Sequence, residues 1–219
     1  MNFDAVFFDL DGTVADTLQN ITDALNHTMR HFGRREFAPE TVKPRLGWGV
    51  DYLMRSLSPD LSAEELEAML RHYRPYYAAH TTDNVRPYPG VLPMMERLCR
   101  AGLKLAIISN KPDAAVQPFA EGAFHGLISF AMGERQGIAR KPAPDMLVFA
   151  AEKLGVELSR CVYVGDTEVD IQTAANAGID CVCVAWGFRT REELLRAGAP
   201  RIAEDTEELT QIITGKSFS

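Results

Sequence analysis

The sequence predicts an α/β fold, in which a doubly wound parallel sheet carries a helical cap domain inserted after the first strand. Two observations predict it. Short apolar segments, of the kind that form strands buried on both faces, alternate with helical patterns, and this alternation is typical of a parallel sheet covered by helices. One long interval after the first segment shows helical periodicity and no convincing strand.

Five short apolar runs, bounded by Gly, Asp or Asn, indicate the strands. They lie at residues 4–8, 104–109, 127–132, 161–164 and 180–185. Helical patterns that end at a glycine separate the later runs. These helices are expected at residues 91–101, 144–154 and 168–177. The order of elements makes the sheet Rossmann-like.

The interval between the first two strands is predicted to form the cap. Asp16 with Gln19, and Ser62 with Glu65, have the spacing of capping boxes, and each pair precedes apolar residues at helical spacing. The Pro-rich return at 86–90 suits a hinge. We therefore expect a Rossmann-like catalytic core at 1–15 and 90–219, and a helical cap at 16–89.

Composition limits the classes of partner. The 219 residues have a formal net charge of −7, which disfavours nucleic acid, because phosphate backbones are bound through excess Lys and Arg. No segment approaches the roughly 20 apolar residues of a membrane span. The short N-terminal apolar run lacks the basic region of a secretory signal. The sequence therefore predicts a cytoplasmic protein without a membrane partner, present as a monomer or a homodimer.

Polar residues collect where the predicted strands end. In a doubly wound sheet, ligands bind outside the carboxyl ends of the strands, so these residues are expected to lie together. They are Asp9, Asp11, Gly12, Thr13, Ser109, Asn110, Lys111, Gly165, Asp166 and Asp170, joined by Lys141 from the loop before a helix. Several are carboxylates that would repel one another, so a bound cation is expected.

Magnesium is the cation that these residue types favour. Mg²⁺ takes oxygen ligands, typically one or two carboxylates plus a substrate phosphate, and Asp9 with Asp166 fit as ligands. Gly12 allows backbone N–H groups to approach an anion, and the hydroxyls of Thr13 and Ser109 can donate to phosphate oxygens. The sequence therefore predicts a magnesium site that also binds phosphate.

Phosphoryl transfer through a covalent aspartyl phosphate is the reaction that this set suggests. Asp9 is assigned as the nucleophile. Asp11 is assigned as the general acid for the leaving oxygen, and then as the general base for the water that opens the intermediate. Lys141 balances the charge of Asp9 and of the transferring group. The expected substrate is a small-molecule phosphate ester.

Four short motifs resemble those of the haloacid dehalogenase superfamily. They are "FFDLDGT", "IISNKP" with Ser109, "ARKPAPD" with Lys141, and "VYVGDTEVD", and they occur in the order of that family over nearly the whole chain. The resemblance implies a nucleophile, an acid/base, a phosphate-binding hydroxyl, a lysine and metal-binding aspartates at Asp9, Asp11, Ser109, Lys141, and Asp166 with Asp170. It also implies that the backbone carbonyl of Asp11 is a metal ligand and that the cap closes over the site.

Within the superfamily, "DGTVADT", "GWGVDYL", "ISNKP" and "AANAG" look most similar to phosphoglycolate phosphatases. A beta-phosphoglucomutase-like sugar-phosphate mutase and a pyrophosphatase share the same four motifs and remain alternatives. A receiver domain would be smaller and would lack the helical insert. A dehalogenase would have no use for Asp11, because a leaving halide needs no proton.

Two cap residues are candidates for contact with the substrate. A small phosphate that carries a second acid needs a cation at that end, and Arg45 is the candidate. Trp48, in the Gly47–Gly49 loop, either faces the substrate or packs in a turn. Asn110 is expected to present its backbone N–H to the phosphate.

Overall fold

The computed structural model describes residues 3–215. The strands, numbered in chain order, are β1 (Ala5–Phe8), β2 (Ala15–Asp16), β3 (Arg86–Pro87), β4 (Lys104–Pro112), β5 (Phe130–Glu134), β6 (Cys161–Gly165), β7 (Asp180–Val184) and β8 (Ile202–Ala203). The α-helices are α1 (Leu18–His31), α2 (Pro39–Val42), α3 (Val50–Leu57), α4 (Ala63–His80), α5 (Val91–Arg100), α6 (Asp113–Glu121), α7 (Asp145–Leu154), α8 (Glu168–Ala177), α9 (Arg191–Arg196) and α10 (Thr206–Thr214).

A six-stranded parallel sheet forms the centre of the molecule, in the order β5-β4-β1-β6-β7-β8. The packing of strand β1 explains why all of its residues are apolar, with no alternation between apolar and polar positions. Val6 and Phe8 pack into the apolar cluster on one face of the sheet, whereas Ala5 and Phe7 pack into the cluster on the other. Because helices cover both faces, every side chain of this strand is buried. The predicted α/β fold is confirmed.

The register of the central strands sets the position of the site. Phe8 lies opposite Ile107 of β4 and Val164 of β6. All three strands run in the same direction, so the residues that follow each of them emerge at one edge of the sheet. Asp9 and Asp166 reach that edge in this way, because each comes directly after its strand.

Several boundaries differ from the sequence prediction. Strand β4 continues three residues beyond 109, to Pro112, and the strand expected at 127–132 lies at Phe130–Glu134. Leu127 and Ile128, which suggested the earlier start, pack against the core from outside the strand. Helix α6, strand β8 and helix α9 are not predicted by the sequence, since short elements give little periodicity.

The helices between β2 and β3 enclose an apolar cluster, which Ala115 and Phe188 join from outside the segment. Helix α4 begins as predicted, because the Ser62 hydroxyl accepts from the Glu65 N–H at 3.2 Å and the Glu65 carboxylate accepts from the Ser62 N–H at 2.9 Å. The box predicted at Asp16 and Gln19 is wrong. The Gln19 side chain donates to Asp23 instead, and helix α1 begins at Leu18.

The chain passes between the sheet and the helical segment twice, at β2 and at β3, and these two passages lie side by side. Ala15–Asp16 pairs antiparallel with Arg86–Pro87, so the expectation that the interval 16–89 contains no strand is wrong at both of its ends. Two-residue strands are too short to show an alternating pattern. The pairing ties the entry of the helical segment to its exit.

Within residues 3–215, no helix combines the length and the apolar character that crossing a membrane requires.

Candidate active site

A small cavity of about 60 Å³, open to solvent, lies between the carboxyl edge of the sheet and the helical segment. Polar residues line the sheet side, namely Asp9, Asp11, Ser109, Asn110 and Lys111. The helical side is mostly apolar, with Ile21, Leu46, Val50, Leu53, Tyr73 and Tyr77. The sheet side, which forms the floor of the cavity, is therefore polar and charged, and the helical side is mostly apolar.

Asp9 is held beside a buried lysine. The Nζ of Lys141 lies 3.0 Å from Asp9 Oδ1 and 2.8 Å from Asp170 Oδ1, and it donates to the Tyr163 hydroxyl at 2.8 Å. The backbone N–H of Leu10 also donates to Asp9 Oδ1, at 2.8 Å. Burial opposes the charge of Lys141, but the carboxylates of Asp170 and Asp9 raise its pKa above the usual value. These contacts fix the direction of the Asp9 carboxylate.

Two further buried carboxylates, those of Asp166 and Asp170, lie near Asp9. Oxygens of Asp9, Asp166 and Asp170 lie within 4.8 Å of one another, and all three residues are buried. Burial, with the carboxylates of Asp170 and Asp11, raises the pKa of Asp9, Lys141 lowers it, and the net result is a pKa of about 7. Burial and the carboxylates of Asp170 and Asp9 raise the pKa of Asp166 well above its ordinary value. The site concentrates negative charge that a cation would stabilise.

The donor set fits a hard divalent cation, since it consists of carboxylate oxygens in a small space. Asp9 and Asp166 suit that role best. Asp170 is more heavily engaged: its Oδ1 accepts from Lys141, and its Oδ2 accepts from the N–H groups of Asp166 and Thr167 at 3.1 and 3.0 Å and from the Thr167 hydroxyl at 2.8 Å. Asp170 therefore positions Lys141 and the loop after β6, and its role as a metal ligand stays a prediction.

Gly12 and Thr13 form the turn that holds Asp166. The Thr13 hydroxyl donates to Asp166 Oδ1 at 2.8 Å, and the Gly12 N–H donates to the Ala15 carbonyl at 3.0 Å. Gly12 has a φ of +83°, and a Cβ there would lie 2.4 Å from Asp166 Oδ2, so a side chain would collide with the carboxylate. Their contact with phosphate stays a prediction, because both groups already have partners inside the protein.

Ser109 and Asn110 lie within the last four residues of β4 and line the cavity. The Ser109 hydroxyl accepts from the Lys111 N–H at 3.3 Å. The Asn110 side chain exchanges two hydrogen bonds with the backbone of Lys141, both at 2.9 Å, and donates to the Gly47 carbonyl at 3.0 Å. Asn110 thus ties the loop of the lysine and the helical segment to β4, a role for its side chain that the sequence did not indicate.

The sequence places Lys111 at this edge of the sheet but gives it no role in the site. Its side chain is 1% exposed, and its Nζ lies 3.0 Å from Asp11 Oδ1 and donates to the Tyr77 hydroxyl. Burial lowers the pKa of Lys111, while the Asp11 carboxylate opposes that shift. A single lysine after a strand is usually a surface residue, and only its place directly after Ser109 and Asn110 could have marked it.

Arg45 and Trp48 do not line the cavity. The Arg45 guanidinium donates to the Thr41 carbonyl at 2.6 Å, and the Trp48 indole N–H donates to Glu168 at 2.9 Å. The neighbouring residues Leu46, Gly47 and Gly49 face the cavity instead. Contact of Arg45 or Trp48 with a substrate stays a prediction, and the indole joins the helical segment to α8.

Comparison with known proteins gives consistent results. The family model described as haloacid dehalogenase-like hydrolase matches residues 6–184. The chain is 31% identical to a phosphoglycolate phosphatase of Rhodospirillum rubrum, over 94% of this chain and 88% of that protein. It is also 31% identical to a phosphoglycolate phosphatase of Aquifex aeolicus, over 84% and 85% of the two chains.

Solved structures agree. This chain superimposes with a TM-score of 0.93 on a crystal structure from Lactobacillus delbrueckii subsp. bulgaricus. That protein is proposed to be a phosphoglycolate phosphatase. It is 38% identical and covers 99% of this chain and 100% of its own. The match of the family model, the relatives and this shared fold lead to one conclusion: the chain belongs to the haloacid dehalogenase-like hydrolase family, in the branch similar to phosphoglycolate phosphatases, and is a phosphoric monoester hydrolase.

Proposed function

We propose that the protein is a Mg²⁺-dependent phosphatase that hydrolyses a small phosphate monoester through an aspartyl phosphate on Asp9, with phosphoglycolate as the leading substrate. One observation carries the proposal. The Asp9 carboxylate lies at the floor of a small cavity, 3.0 Å from the Lys141 ammonium and beside Asp166. A nucleophile, a positive charge and a second carboxylate suited to a cation therefore meet where a phosphate can enter.

In the first half of the reaction, a carboxylate oxygen of Asp9 attacks phosphorus, and the bond from phosphorus to the ester oxygen breaks. Asp11 gives its proton to that departing oxygen, so that the leaving group departs as an alcohol. Lys141 stabilises the negative charge of Asp9 and of the transferring phosphoryl group, because its ammonium is fixed by Asp170 and Tyr163.

In the second half, a water molecule attacks the phosphorus of the aspartyl phosphate. Asp11, now ionised, removes a proton from that water, and the bond between phosphorus and Asp9 breaks. Inorganic phosphate and the free carboxylate are released. Asp11 lines the cavity beside Asp9, as both of these roles require.

Asp9, Asp166 and the backbone carbonyl of Asp11 are the groups that we assign to hold Mg²⁺. When bound, the ion supplies positive charge that stabilises the phosphate oxygens and neutralises the carboxylates. The raised pKa values of Asp9 and Asp166 support the assignment, since such groups favour a neighbouring cation.

Phosphoglycolate is the leading candidate because phosphoglycolate phosphatases of two bacteria align with 84% or more of this chain. The test is release of inorganic phosphate from a panel of phosphoglycolate, sugar phosphates, nucleotides and pyrophosphate in the presence of Mg²⁺. We expect phosphoglycolate to give the highest kcat/KM. Isomerisation of a sugar phosphate without release of phosphate would favour a mutase, and preference for pyrophosphate would favour a pyrophosphatase.

A further inference from the structure

We propose that Lys111, supported by Tyr77, binds a second anionic group of the substrate, and that the enzyme selects small phosphate esters with an acid on the carbon next to the ester oxygen. This inference rests on the proposed phosphatase function and adds the residue that reads the leaving group. It replaces Arg45 as the source of the cation.

The first step of the inference concerns charge. Among the residues that line the cavity, all of them in the described part of the chain, Lys111 is the only Lys or Arg. Lys141 is not among the lining residues, and its three N–H donors already have partners in Asp9, Asp170 and Tyr163. The Lys111 ammonium has two partners, Asp11 and Tyr77, which leaves one N–H donor for a ligand. An anionic leaving group would therefore find Lys111 as its cationic partner in this cavity.

The second step concerns position. The Lys111 ammonium lies 3.0 Å from Asp11 Oδ1, and Asp11 is the residue assigned to protonate the leaving oxygen. A general acid works at hydrogen-bond distance, about 3 Å, from the oxygen that it protonates. A carboxylate one carbon beyond that oxygen is thus placed next to the Asp11 side chain, where the Lys111 ammonium lies.

The third step concerns the surroundings of Lys111. Tyr77 from α4 accepts a hydrogen bond from the ammonium, and its ring centroid lies 4.3 Å from Nζ. The ring of Phe119 lies 5.4 Å from Nζ on the core side. Because the ammonium is buried among aromatic rings, solvent screens it little, and a substrate carboxylate that reached it would be bound strongly.

The fourth step concerns the rest of the cavity. Its helical wall offers the apolar side chains of Ile21, Leu46, Val50 and Leu53. A sugar has several hydroxyls, and burying each without a hydrogen-bond partner is unfavourable. A small acid with one methylene group needs only one cation and an apolar neighbour. The cavity therefore favours short phosphorylated acids over sugar phosphates.

The test compares two substrates of matched shape, phosphoglycolate and 2-hydroxyethyl phosphate, which differ in the charge of the terminal group. For wild type we expect kcat/KM to favour the acid by about 30-fold or more. In Lys111→Met we expect this ratio to fall by about 30-fold, the range given by loss of one charged hydrogen bond, with the change mainly in KM for the acid. Lys111→Arg is expected to recover part of the ratio.

Lys153→Met is the matched control. Lys153 is exposed on α7 and does not line the cavity, and its Nζ lies 5.1 Å from the centroid of the Phe149 ring. It should keep the wild-type ratio. Equal losses for both substrates in Lys111→Met would overturn the proposal and leave Lys111 as a partner of Asp11 alone. Wild-type enzyme that cleaves both esters equally would also overturn it, while the phosphatase function would stand.

Wild-type enzyme that cleaves neither ester, nor any other ester of the panel, would contradict the phosphatase function and this inference with it. Circular dichroism melting shows whether Lys111→Met folds. If it does not, Tyr77→Phe provides the test, since it removes only the hydroxyl partner of the ammonium. We expect it to lower the ratio of the two kcat/KM values by about threefold to tenfold, and an unchanged ratio would refute the role of the pair.

Discussion

The two walls of the cavity are built differently. On the sheet side, the Lys141 ammonium contacts Asp9, Asp170 and Tyr163, and these groups are all buried. On the helical side, apolar side chains dominate and pack into a separate cluster. The sheet wall is a polar network in which one change leaves an unpaired charge, whereas the helical wall offers shape and little hydrogen bonding.

The two walls are joined by polar contacts and by Ala115 and Phe188, which pack into the apolar cluster of the helical segment. Asp51 of α3 forms a two-point ion pair with Arg140 at 2.6 and 2.9 Å. The Trp48 indole donates to Glu168, and Asn110 donates to the Gly47 carbonyl. Polar contacts of this kind can exchange with water, so we infer that the chemistry is fixed on the sheet and that the helical segment controls access to the cavity.

Replacing the nucleophile should have the largest effect and tests the sheet wall. Asp9→Asn is expected to lower kcat for phosphate release by about 1,000-fold or more, because no aspartyl phosphate can form. The melting temperature should stay close to wild type. Asp180→Asn, at the exposed start of β7, is the control. Activity of Asp9→Asn within tenfold of wild type would contradict the assignment of Asp9.

Removing the metal should have the next largest effect. We expect a chelator to lower kcat by about 100-fold or more, and Mg²⁺ to restore it, since Asp9 and Asp166 would lose the cation that neutralises them. Direct titration of Mg²⁺ by calorimetry should show one site in wild type and weaker binding in Asp166→Asn. Turnover that continues in chelator would argue against the metal assignment.

Weakening a joint should have a smaller effect and tests the helical wall. Asp51→Asn breaks the ion pair with Arg140, whose side chain is 33% exposed, so we expect kcat/KM to fall by about threefold to tenfold, mainly through KM. Glu36→Gln breaks an exposed ion pair with Arg30 inside the helical segment and is the control. If both variants raised KM alike, the pair with Arg140 would have no special part in closing the cavity.

Mild acid should give the smallest effect, confined to the helical segment. The ring of His72 stacks on that of His31 at 3.9 Å between centroids. Burial, with His31 and His27 nearby, lowers the pKa of His72 below its ordinary value of 6.5. The unfolded chain therefore binds this proton more readily, so the contribution to stability is complete above about pH 6.5 and is lost as the pH falls.

The measurement is the melting temperature between pH 7.5 and 5.5. His72→Gln should show a smaller decrease on acidification than wild type, and the difference between them isolates this one histidine from the carboxylates of the site. His125→Gln, at an exposed position between α6 and β5, is the control. The same slope in wild type and in His72→Gln would refute the assignment.

Much of the fold could be predicted because its signals are local. A run such as Ala5–Phe8 is apolar at every position only when both faces are covered, so the sequence indicated a buried parallel strand without knowledge of its neighbours. The order of the strands then placed Asp9 and Asp166 at one edge. The motifs that contain Asp9, Ser109, Lys141 and Asp166 occupy short segments, and their order along the chain made the set recognisable where one motif would not have been.

Only the tertiary structure determines the contacts between segments that are far apart in the chain. The pair of Lys111 with Asp11 joins residues 100 positions apart, and that of Arg140 with Asp51 joins residues 89 apart. The direction of Arg45 towards the Thr41 carbonyl, away from the cavity, was equally invisible. Periodicity reports which face of an element is buried, but the partner of a charged side chain depends on how the chain returns, and only the folded structure determines that.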